Sequence, residues 1–332
     1  MASQSEGAPP RAAIDDGFFA QVRGEAQWIT LRGADRGNPP LLILSGPGAV
    51  FSRMAPFFAP WEAAFTLVQW DQPGGGATFA KNGEAPLSLD RLAADAEAVA
   101  EIALARLDAP KLIVLGVSGG SILGLKLAKA RPDLVAAFVG TGQIVHWARQ
   151  QALGYRLALQ AARARGGTAA VATLEQIGRP PYPDIAAEMV FSQHANGLTS
   201  AEQAAFASLE PEAAAALAIP PPGACWVPPD LVLPDGRVRG LAAYLALRDE
   251  IAAFDAWALG PAFEVPMLFL QGDLDHYTPT AELAAYAAAI DAPAAKVVDV
   301  PGGGHSAVFL RQTFLALLQQ HALPLGAPKS YV

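Results

Sequence analysis

The sequence contains few of the residues that characterise disulfide-rich, nucleic-acid-binding or disordered proteins. Its one cysteine, Cys225, has no second cysteine with which to form an intrachain disulfide. The chain has 23 Lys and Arg residues against 31 Asp and Glu, and no basic cluster that would neutralise phosphates, so we expect no nucleic-acid partner. With 16% charged and 52% hydrophobic residues, it has enough apolar side chains for a large core, which excludes a disordered protein.

Long hydrophobic segments are also absent. No charge-free apolar segment reaches the ~18 residues that a membrane-spanning helix needs. The first 17 residues, MASQSEGAPPRAAIDDG, have no apolar core after a positive segment and do not match a secretory signal. These observations predict a cytoplasmic protein with no membrane partner.

Short apolar segments alternate with longer segments of helical periodicity. Residues 89–107, for example, place Leu92, Ala96 and Val99 on one helical stripe. Several short segments are apolar throughout, which is typical of strands covered on both faces. The strand-like segments are 18–22, 27–32, 41–45, 65–70, 112–117, 135–139, 266–271 and 296–300. The pattern predicts an α/β protein with a mostly parallel eight-stranded sheet and helices on both faces.

This alternation stops between about 143 and 260, where the sequence is Ala-rich, mostly helical in period and interrupted by Pro-rich turns. We interpret this stretch as a helical insertion, a cap over one edge of the sheet, although additional helices of the same domain would give the same pattern. The predicted organisation is a flexible N-terminus at 1–15, a core formed by 16–142 and 262–332, and a helical cap at 143–261.

A candidate nucleophile lies at the end of a predicted strand. The segment Gly116–Gly120 reads G-V-S-G-G and lies between the apolar residues 112–115 and a helical segment at 121–129. Strand, G-x-S-x-G and helix in this order are typical of a nucleophile elbow, in which a serine occupies a sharp and strained turn. Glycines two positions either side remove the steric collision that side chains would cause there. Ser118 is therefore the predicted nucleophile.

A serine hydroxyl needs a neighbouring base to accept its proton, and His305 is the best-placed histidine. It lies in the loop Pro301–Ser306, between the last predicted strand and the closing helix, which brings it to the carboxyl edge of the sheet. His146 and His194 fall in the insertion, and His321 lies at the far end of the closing helix.

The base in turn needs an acid that fixes its tautomer and stabilises the imidazolium. The segment Gly272–Pro279, which follows a predicted strand, contains two aspartates. We favour Asp275, which lies further into the loop, while Asp273 remains an alternative that could equally form a local turn. Ser118, Asp275 and His305 then occur in the order Ser, Asp, His of the α/β-hydrolase architecture.

Stabilisation of the oxyanion is often the largest catalytic term. The segment Ser45–Gly48 lies directly after a predicted strand, where a second amide donor is expected. We assign the backbone amides of Gly46 and Gly119 to an oxyanion hole. The Gly-rich turn Asp71–Gly76 has no Lys-Ser or Lys-Thr pair after it, so we interpret it as a bend that supports a neighbouring loop and not as a phosphate site.

These motifs resemble the α/β-hydrolases, and within them the proline iminopeptidase branch. Ser45–Gly48 is similar to the H-G-G-P-G of that branch, Trp70–Gly76 to its W-D-Q-R-G-x-G, and Gly116–Ser121 to its G-x-S-x-G-S elbow. Gly272–Pro279 and Gly304–Ser306 resemble its acid and base loops. The resemblance covers about 16 to 142 and 262 to 322, and the insertion matches only in position and helical character.

The sequence departs from this branch at three places. Leu44 stands where H-G-G-P-G has histidine, and Pro73 where D-Q-R-G has arginine. Enzymes of the branch hold the free amine of the substrate with carboxylates of the cap, one of them in a W-x-x-W-E stretch that this insertion lacks. The alternative candidates for substrate binding are the insertion glutamates Glu188, Glu202, Glu210 and Glu212, each of which also fits a solvated helix face.

The sequence therefore predicts a serine hydrolase that acts through an acyl-enzyme on a small molecule or a short peptide. The resemblance implies an aminopeptidase of proline iminopeptidase type, which releases an N-terminal residue. The alternative is an ester or amide hydrolase without an amine requirement, and a non-enzymatic binding protein on the same scaffold is a third reading. No metal-ligand spacing and no dinucleotide fingerprint are present, so we expect no cofactor and no metal. The sequence leaves the oligomeric state open.

Overall fold

The computed structural model describes residues 12–217 and 239–326. Cys225 and the Pro-rich turns at 220–229 and 234–236 lie outside the described residues. Within them, a single eight-stranded sheet forms the centre of the molecule.

The sheet is mostly parallel, as predicted. Its strands are β1 (Ile14–Val22), β2 (Glu25–Gly33), β3 (Pro40–Leu44), β4 (Thr66–Asp71), β5 (Leu112–Val117), β6 (Val135–Thr141), β7 (Met267–Gly272) and β8 (Ala295–Val300). They are arranged in the order β1-β2-β4-β3-β5-β6-β7-β8, and only β2 runs antiparallel to its neighbours. The strands β3, β4, β5 and β7 are buried along their whole length, which explains their uninterrupted apolar sequences. Strand β1, at the edge, instead alternates between exposed and partly buried residues.

Helices cover both faces of the sheet. In the first part of the chain these are α1 (Ala55–Phe58), α2 (Gly76–Asn82), α3 (Leu89–Leu107) and α4 (Gly119–Ala130). Helix α3 has the predicted bounds. Its N-cap is Ser88, whose hydroxyl accepts a hydrogen bond from the amide of Arg91, and its C-cap is Asp108, which has a left-handed conformation. Its apolar stripe, with Leu92, Ala96 and Val99, is buried in the largest of three hydrophobic clusters among the described residues.

Between β6 and β7 the chain is helical in the residues that the structure describes. The helices are α5 (Trp147–Ala164), α6 (Thr168–Ile177), α7 (Ile185–Ala195), α8 (Ser200–Ala207), α9 (Pro211–Leu217) and α10 (Arg239–Ala253). Helices α5, α6 and α7 share a small hydrophobic cluster that includes Tyr155, Leu174 and Phe191. We call the helices α5 to α10 the cap.

The last part of the chain returns to the core. Helices α11 (Thr280–Ala289), α12 (Arg311–His321) and α13 (Leu323–Gly326) follow, and short 3₁₀ helices occur at Phe51–Met54, Ala59–Ala63, Ala256–Leu259 and Ala307–Phe309. The closing helix that the sequence predicts after the loop Pro301–Ser306 is α12, which begins at Arg311 after one 3₁₀ turn. Across residues 12–217 and 239–326, no helix is both long enough and apolar enough to cross a membrane.

Candidate active site

Ser118 lies on a sharp turn between β5 and α4. Its backbone has φ 52° and ψ −122°, a region that residues with a Cβ atom rarely occupy. Its amide donates to the carbonyl oxygen of Thr141 at the end of β6, over 2.9 Å, which ties the turn to the neighbouring strand. The Ser118 side chain is only partly buried and therefore accessible to a reacting group.

Glycines on either side make this turn sterically possible. A Cβ atom at Gly120 would lie 2.0 Å from the carbonyl oxygen of Leu44, and one at Gly116 would lie 2.7 Å from the Cα atom of Ser121. Both distances are far below van der Waals contact with backbone atoms that cannot move aside. The structure thus gives the elbow glycines the steric role expected from the sequence.

His305 reaches Ser118 from the loop between β8 and the Ala307–Phe309 turn. Its Nε2 atom lies 2.8 Å from the Ser118 Oγ atom, and the imidazole is buried. A direct hydrogen bond therefore connects the hydroxyl to a base. The ring of Tyr277 packs edge to face on the imidazole, with centroids 4.8 Å apart, and helps to fix its orientation.

Asp275 completes the arrangement on the other side of the imidazole. Its Oδ2 atom lies 3.1 Å from His305 Nδ1 and also accepts hydrogen bonds from Gln271 Nε2 and Thr278 Oγ1, each over 2.7 Å. Its Oδ1 atom accepts from the amides of Tyr277 and Thr278. Burial alone would raise the pKa of Asp275, but attraction to His305 and these hydrogen bonds outweigh it and lower the pKa. Asp275 is therefore held as a carboxylate.

Asp273 does not contact His305. It accepts a hydrogen bond from the amide of Gly302 over 2.8 Å at the exposed rim of the base loop. Of the two aspartates left open by the sequence, the structure brings Asp275 to the imidazole and places Asp273 in a turn contact. His276, next to Asp275, has its pKa lowered by burial and makes no contact with Ser118 in the described residues.

Gly46 and Gly119, the residue directly after Ser118, lie side by side. A Cβ atom on Gly46 would lie 3.6 Å from the Gly119 amide nitrogen, so the two backbones are in direct contact. Among the hydrogen bonds of the described residues, neither amide donates to a protein acceptor. Gly119 is also the first residue of α4, where the amides point out of the helix and favour negative charge.

The Gly-rich turn after β4 supports the loop that carries Gly46. Gln72 Nε2 donates to the carbonyl oxygen of Ser45 over 2.9 Å, and Ser45 Oγ donates to that of Ala49 over 3.0 Å. Gly75 packs against Gly48, where an added Cβ atom would lie 3.2 Å from the carbonyl oxygen. Strands β3 and β4 are neighbours, so their carboxyl ends present the two loops together.

The four glutamates of the insertion have different surroundings. Glu188, on α7, is buried, pairs with Arg248 Nε over 2.6 Å and accepts a hydrogen bond from the Tyr244 hydroxyl. Glu210 has an exposed side chain that pairs with the buried Arg311 over 2.9 Å, and Glu212 is exposed. Glu202 is buried beneath the base loop and accepts from the amide of Gly304 over 2.8 Å. The structure therefore does not gather them into one site.

Three residues around the imidazole escaped the sequence interpretation. Thr278 Oγ1 lies 3.2 Å from His305 Nδ1, and Gln271 bonds both Asp275 and the carbonyl oxygen of Thr278. Gly142, with φ 53°, passes so close that a Cβ atom would lie 2.8 Å from His305 Cε1. A local signal existed only for Thr278, since an aspartate three residues before it is typical of an Asx-type turn.

This geometry is suited to nucleophilic attack on a carbonyl. A hydroxyl, an imidazole and a buried carboxylate form one hydrogen-bonded chain. The backbone of Gly119, which follows the serine, is in contact with that of Gly46. No group of three His, Cys, Asp or Glu side chains that could hold a metal ion occurs in the part of the chain that the structure describes.

Comparison with known proteins agrees with the fold. Residues 39–177 match the family model described as alpha/beta hydrolase fold. A probable aminopeptidase of Bacillus subtilis is 24% identical over 295 residues, which cover 84% of this chain and 87% of the relative. A probable proline iminopeptidase of Streptomyces coelicolor is 34% identical over 140 residues, or 40% of this chain and 42% of the relative.

Solved structures are similar over nearly the whole chain. A proline iminopeptidase-related protein from Thermus thermophilus has a TM-score of 0.63 at 16% identity, with 94% of this chain and 98% of the other covered. A thermophilic esterase from Thermogutta terrifontis has a TM-score of 0.59 at 16% identity, with 95% and 100% covered. The chain has the α/β-hydrolase fold, and its resemblance to proline iminopeptidase-related proteins of that fold is confirmed.

Proposed function

We propose that this protein is a serine hydrolase that acts through an acyl-enzyme, with Ser118 as nucleophile, His305 as base and Asp275 as orienting acid. The observation that carries the proposal is the continuous chain Ser118 Oγ, His305 Nε2, His305 Nδ1 and Asp275 Oδ2, with separations of 2.8 Å and 3.1 Å across the two hydrogen bonds. Such a chain activates a hydroxyl that is otherwise a weak nucleophile.

The proposed reaction is a sequence of proton transfers through His305. His305 Nε2 takes the proton of Ser118 Oγ as the oxygen attacks the substrate carbonyl carbon, and the carbonyl oxygen becomes negatively charged. The imidazolium returns the proton to the leaving alcohol or amine, which departs and leaves Ser118 acylated. His305 then takes a proton from water, whose oxygen attacks the acyl carbon. The bond between the acyl carbon and Ser118 Oγ breaks, the imidazolium returns its proton to Oγ, and the acid is released. The Asp275 carboxylate stabilises the imidazolium in both halves of the cycle.

The amides of Gly46 and Gly119 are the proposed donors to the negative oxygen. Neither amide has a protein acceptor among the described residues, and Gly119 adds the positive end of α4. Because the donors are held by the strand β3 and by a helix terminus, they need little reorganisation during the reaction.

For the substrate, we propose first an unblocked N-terminal residue, proline or another small one, released from a short peptide. The names of the relatives from Bacillus subtilis and Streptomyces coelicolor support this reading. Glu188 is the insertion carboxylate best suited to a substrate amine. Glu188 lies three residues before Phe191 and therefore on the same face of α7. The ring of Phe191 stacks on Tyr277 at 5.8 Å, and Tyr277 packs on His305, so this face of α7 is directed to the side of the site.

A second candidate, an ester or amide hydrolase without an amine requirement, is favoured by the partner of Glu188. Arg248 pairs with this carboxylate over 2.6 Å, so a substrate ammonium group would have to compete with a guanidinium that is already in place. Glu202 likewise has both oxygens engaged by backbone amides, from Thr199 and Gly304. The fold shared with a solved esterase is compatible with this second reading.

A hydrolysis panel separates the two candidates. The substrates are proline p-nitroanilide, its N-acetylated counterpart and p-nitrophenyl butyrate, each tested with the wild-type protein, Ser118→Ala and Glu188→Gln. An aminopeptidase cleaves the free-amine anilide in preference to the acetylated one, and Glu188→Gln raises KM for the free-amine substrate alone. Cleavage of the ester alone, lost in Ser118→Ala, would support the second candidate. Equal rates for wild type and Ser118→Ala on all three substrates would refute the serine hydrolase.

A further inference from the structure

A cap helix begins at the point where the loop of the catalytic histidine passes beneath it. Helix α8 starts with a capping box: Thr199 Oγ1 accepts a hydrogen bond from the Glu202 amide, and a Glu202 side-chain oxygen accepts one from the Thr199 amide. Such a box is normally a local device that satisfies the free amides at the start of one helix. Here both of its side chains also bond to residues more than one hundred positions away.

These long-range bonds go to the loop that carries His305. Glu202 Oε1 accepts from the Gly304 amide over 2.8 Å, while its Oε2 atom accepts from the Thr199 amide over 2.8 Å. Thr199 Oγ1 donates to the carbonyl oxygen of Gly302 over 2.7 Å. The cap therefore holds the base loop on both sides of its bend, and one of the two contacts is to the amide directly before His305.

The contact leaves no free space. A Cβ atom on Gly304 would lie 3.1 Å from Thr199 Cγ2 and 3.2 Å from Glu202 Oε2, and one on Gly302 would lie 3.0 Å from the Cβ atom of Ala201. The glycines of this loop thus permit the loop to press against the start of α8. A displacement of Glu202 would be transmitted directly to the backbone of the histidine.

A carboxylate at this position needs an explanation, because only 1% of the Glu202 surface is exposed. Burying a charge is unfavourable, and glutamine satisfies an ordinary capping box without that cost. Burial raises the pKa of Glu202, while the bonds from Thr199 and Gly304 and attraction to His305 act against this rise. The two amides bond to different oxygens of Glu202, so glutamine in the same position would turn its NH2 group, which only donates, toward one of them. Glutamine also carries no charge to attract an imidazolium.

We propose that Glu202 is a positioning residue for His305: it holds the amide before the histidine from the cap and adds a second negative charge on the side of the base loop. The inference rests on the proposed function, since it assigns His305 the role of base. It differs from the sequence expectation, which gave Glu202 a possible contact with substrate.

The proposal predicts a specific pH effect. The titratable groups that act on Glu202 are His305, from the loop after β8, and Asp275, from the loop after β7. Burial raises the pKa of Glu202, so its protonation contributes to the acid limb of the activity profile by removing one of the two acceptors that hold the amides of Thr199 and Gly304. The Glu202→Gln variant lacks this titration, and its acid limb therefore lies at lower pH.

The test uses the full-length protein and a fluorophosphonate probe, which reports the reactivity of Ser118 without assuming a natural substrate. The variants are Glu202→Gln, which keeps the size of the side chain, and Thr199→Val, which removes the hydroxyl that bonds Gly302. The control is Asp184→Ala, which removes the carboxylate that caps α7 at Ala187 and does not reach the base loop. The inactivation rate at saturating probe, the apparent probe affinity, the pH profile and the Tm are measured for each.

We expect Glu202→Gln to lower the maximal labelling rate by about 10-fold, with probe affinity unchanged within about twofold and the acid limb shifted to lower pH. Thr199→Val lowers the rate by a smaller factor without moving the limb, since it removes a bond but no charge. Asp184→Ala lowers the Tm and leaves the labelling rate as in the wild type.

The proposal would be overturned if Glu202→Gln had the labelling rate and the acid limb of the wild type. It would also be overturned if, in all three variants, the loss of labelling rate were in proportion to the fall in Tm. If Glu202→Gln does not fold, an unchanged labelling rate in Thr199→Val overturns the proposal that the start of α8 positions the loop of His305. Absence of labelling in the wild-type protein would instead refute the proposed function. This outcome differs from one in which the wild type is labelled and the Glu202 substitution changes nothing.

Discussion

The carboxylate of Asp275 meets the imidazole of His305 through Oδ2 and Nδ1, 3.1 Å apart, and it does so while accepting four further hydrogen bonds. Two of these come from backbone amides two and three residues ahead, at Tyr277 and Thr278, and the other two from Gln271 and the Thr278 hydroxyl. The carboxylate is therefore held by its own loop and by strand β7, independently of its contact with the histidine. Its orientation does not depend on the cap.

The first prediction separates the two aspartates of this loop. Asp275→Asn removes the charge and places an amide group opposite His305 Nδ1, so we expect kcat to fall by about 10⁴-fold, as loss of the tautomer-fixing acid does in a Ser-His-Asp triad. Asp273→Asn keeps an acceptor for the Gly302 amide at an exposed position, and we expect a change within about twofold. Steady-state hydrolysis of p-nitrophenyl butyrate measures both.

A comparable loss in the two variants would contradict this assignment, and a larger loss in Asp273→Asn would reverse it. Far-ultraviolet circular dichroism of each variant shows whether a loss of activity accompanies a loss of fold.

The second prediction concerns stability against acid. Although burial opposes it, attraction to His305 and the surrounding hydrogen bonds lower the pKa of Asp275 below its ordinary value of 3.8. A lowered pKa stabilises the folded state above the ordinary value, and this contribution is lost as the pH falls through the lowered one. The free energy of unfolding should thus differ between wild type and Asp275→Asn by a constant amount near neutral pH, with the difference shrinking below about pH 4.

Urea unfolding between pH 3 and 8 measures that difference. The raised pKa of Glu202 has the opposite sign, since it favours the folded state at low pH, and repulsion from Asp275 is one cause of that rise. Both proteins are therefore compared in the Glu202→Gln background, in which this contribution is absent. A difference that grows on acidification would show that Asp275 is not held as a carboxylate in the folded protein.

Much of the fold and of the proposed catalytic chain was predictable because their signals are local. The elbow Gly116–Gly120 is contiguous, the buried strands are uninterrupted apolar segments, and the order of Ser118, Asp275 and His305 follows the order of the strands. Parallel strands bring their carboxyl ends to one edge of a sheet, so a residue at each end can be placed in the site without knowledge of any side-chain conformation.

The surroundings of the site were less predictable because they depend on packing between distant segments. Glu202 and Gly304 are separated by 102 positions, and Gly142 approaches His305 from the end of β6. Nothing in the sequence near Glu188 shows that Arg248 pairs with it, since the cap is Ala-rich and its helical periodicity does not specify how its helices meet. Hence the sequence could name the cap glutamates but not assign them partners.

The third prediction tests the steric basis of the elbow. A methyl group at Gly120 would lie 2.0 Å from the carbonyl oxygen of Leu44 and 2.8 Å from the carbonyl carbon of Ser45, both of them backbone atoms in or beside the central strand β3. We expect Gly120→Ala to lower the free energy of unfolding by at least about 3 kcal/mol. Urea unfolding monitored by tryptophan fluorescence is the measurement, and wild-type stability would show that the turn is looser than described.

The fourth prediction uses Gly46, where the same substitution is sterically allowed. The nearest atom to an added Cβ is the Gly119 amide nitrogen at 3.6 Å, an ordinary contact, so Gly46→Ala should change stability by less than about 1 kcal/mol. The methyl group would, however, crowd the space in front of the Gly119 amide. We expect kcat to fall by about 10²-fold, the size of effect seen when one oxyanion donor is lost. A fully active Gly46→Ala would remove Gly119 from the proposed oxyanion hole.

The last prediction concerns the strain stored at Ser118. Its φ of 52° is unfavourable for any residue with a Cβ atom and costs about 1–3 kcal/mol. Ser118→Ala and Ser118→Gly should both lose activity by about 10⁶-fold, since neither has a nucleophile. Only the glycine relieves the strain, and its greater flexibility in the unfolded chain offsets about 0.5–1 kcal/mol of that relief. We therefore expect Ser118→Gly to be more stable than Ser118→Ala in urea unfolding, although glycine normally destabilises. A less stable glycine variant would mean that the elbow holds its serine without strain.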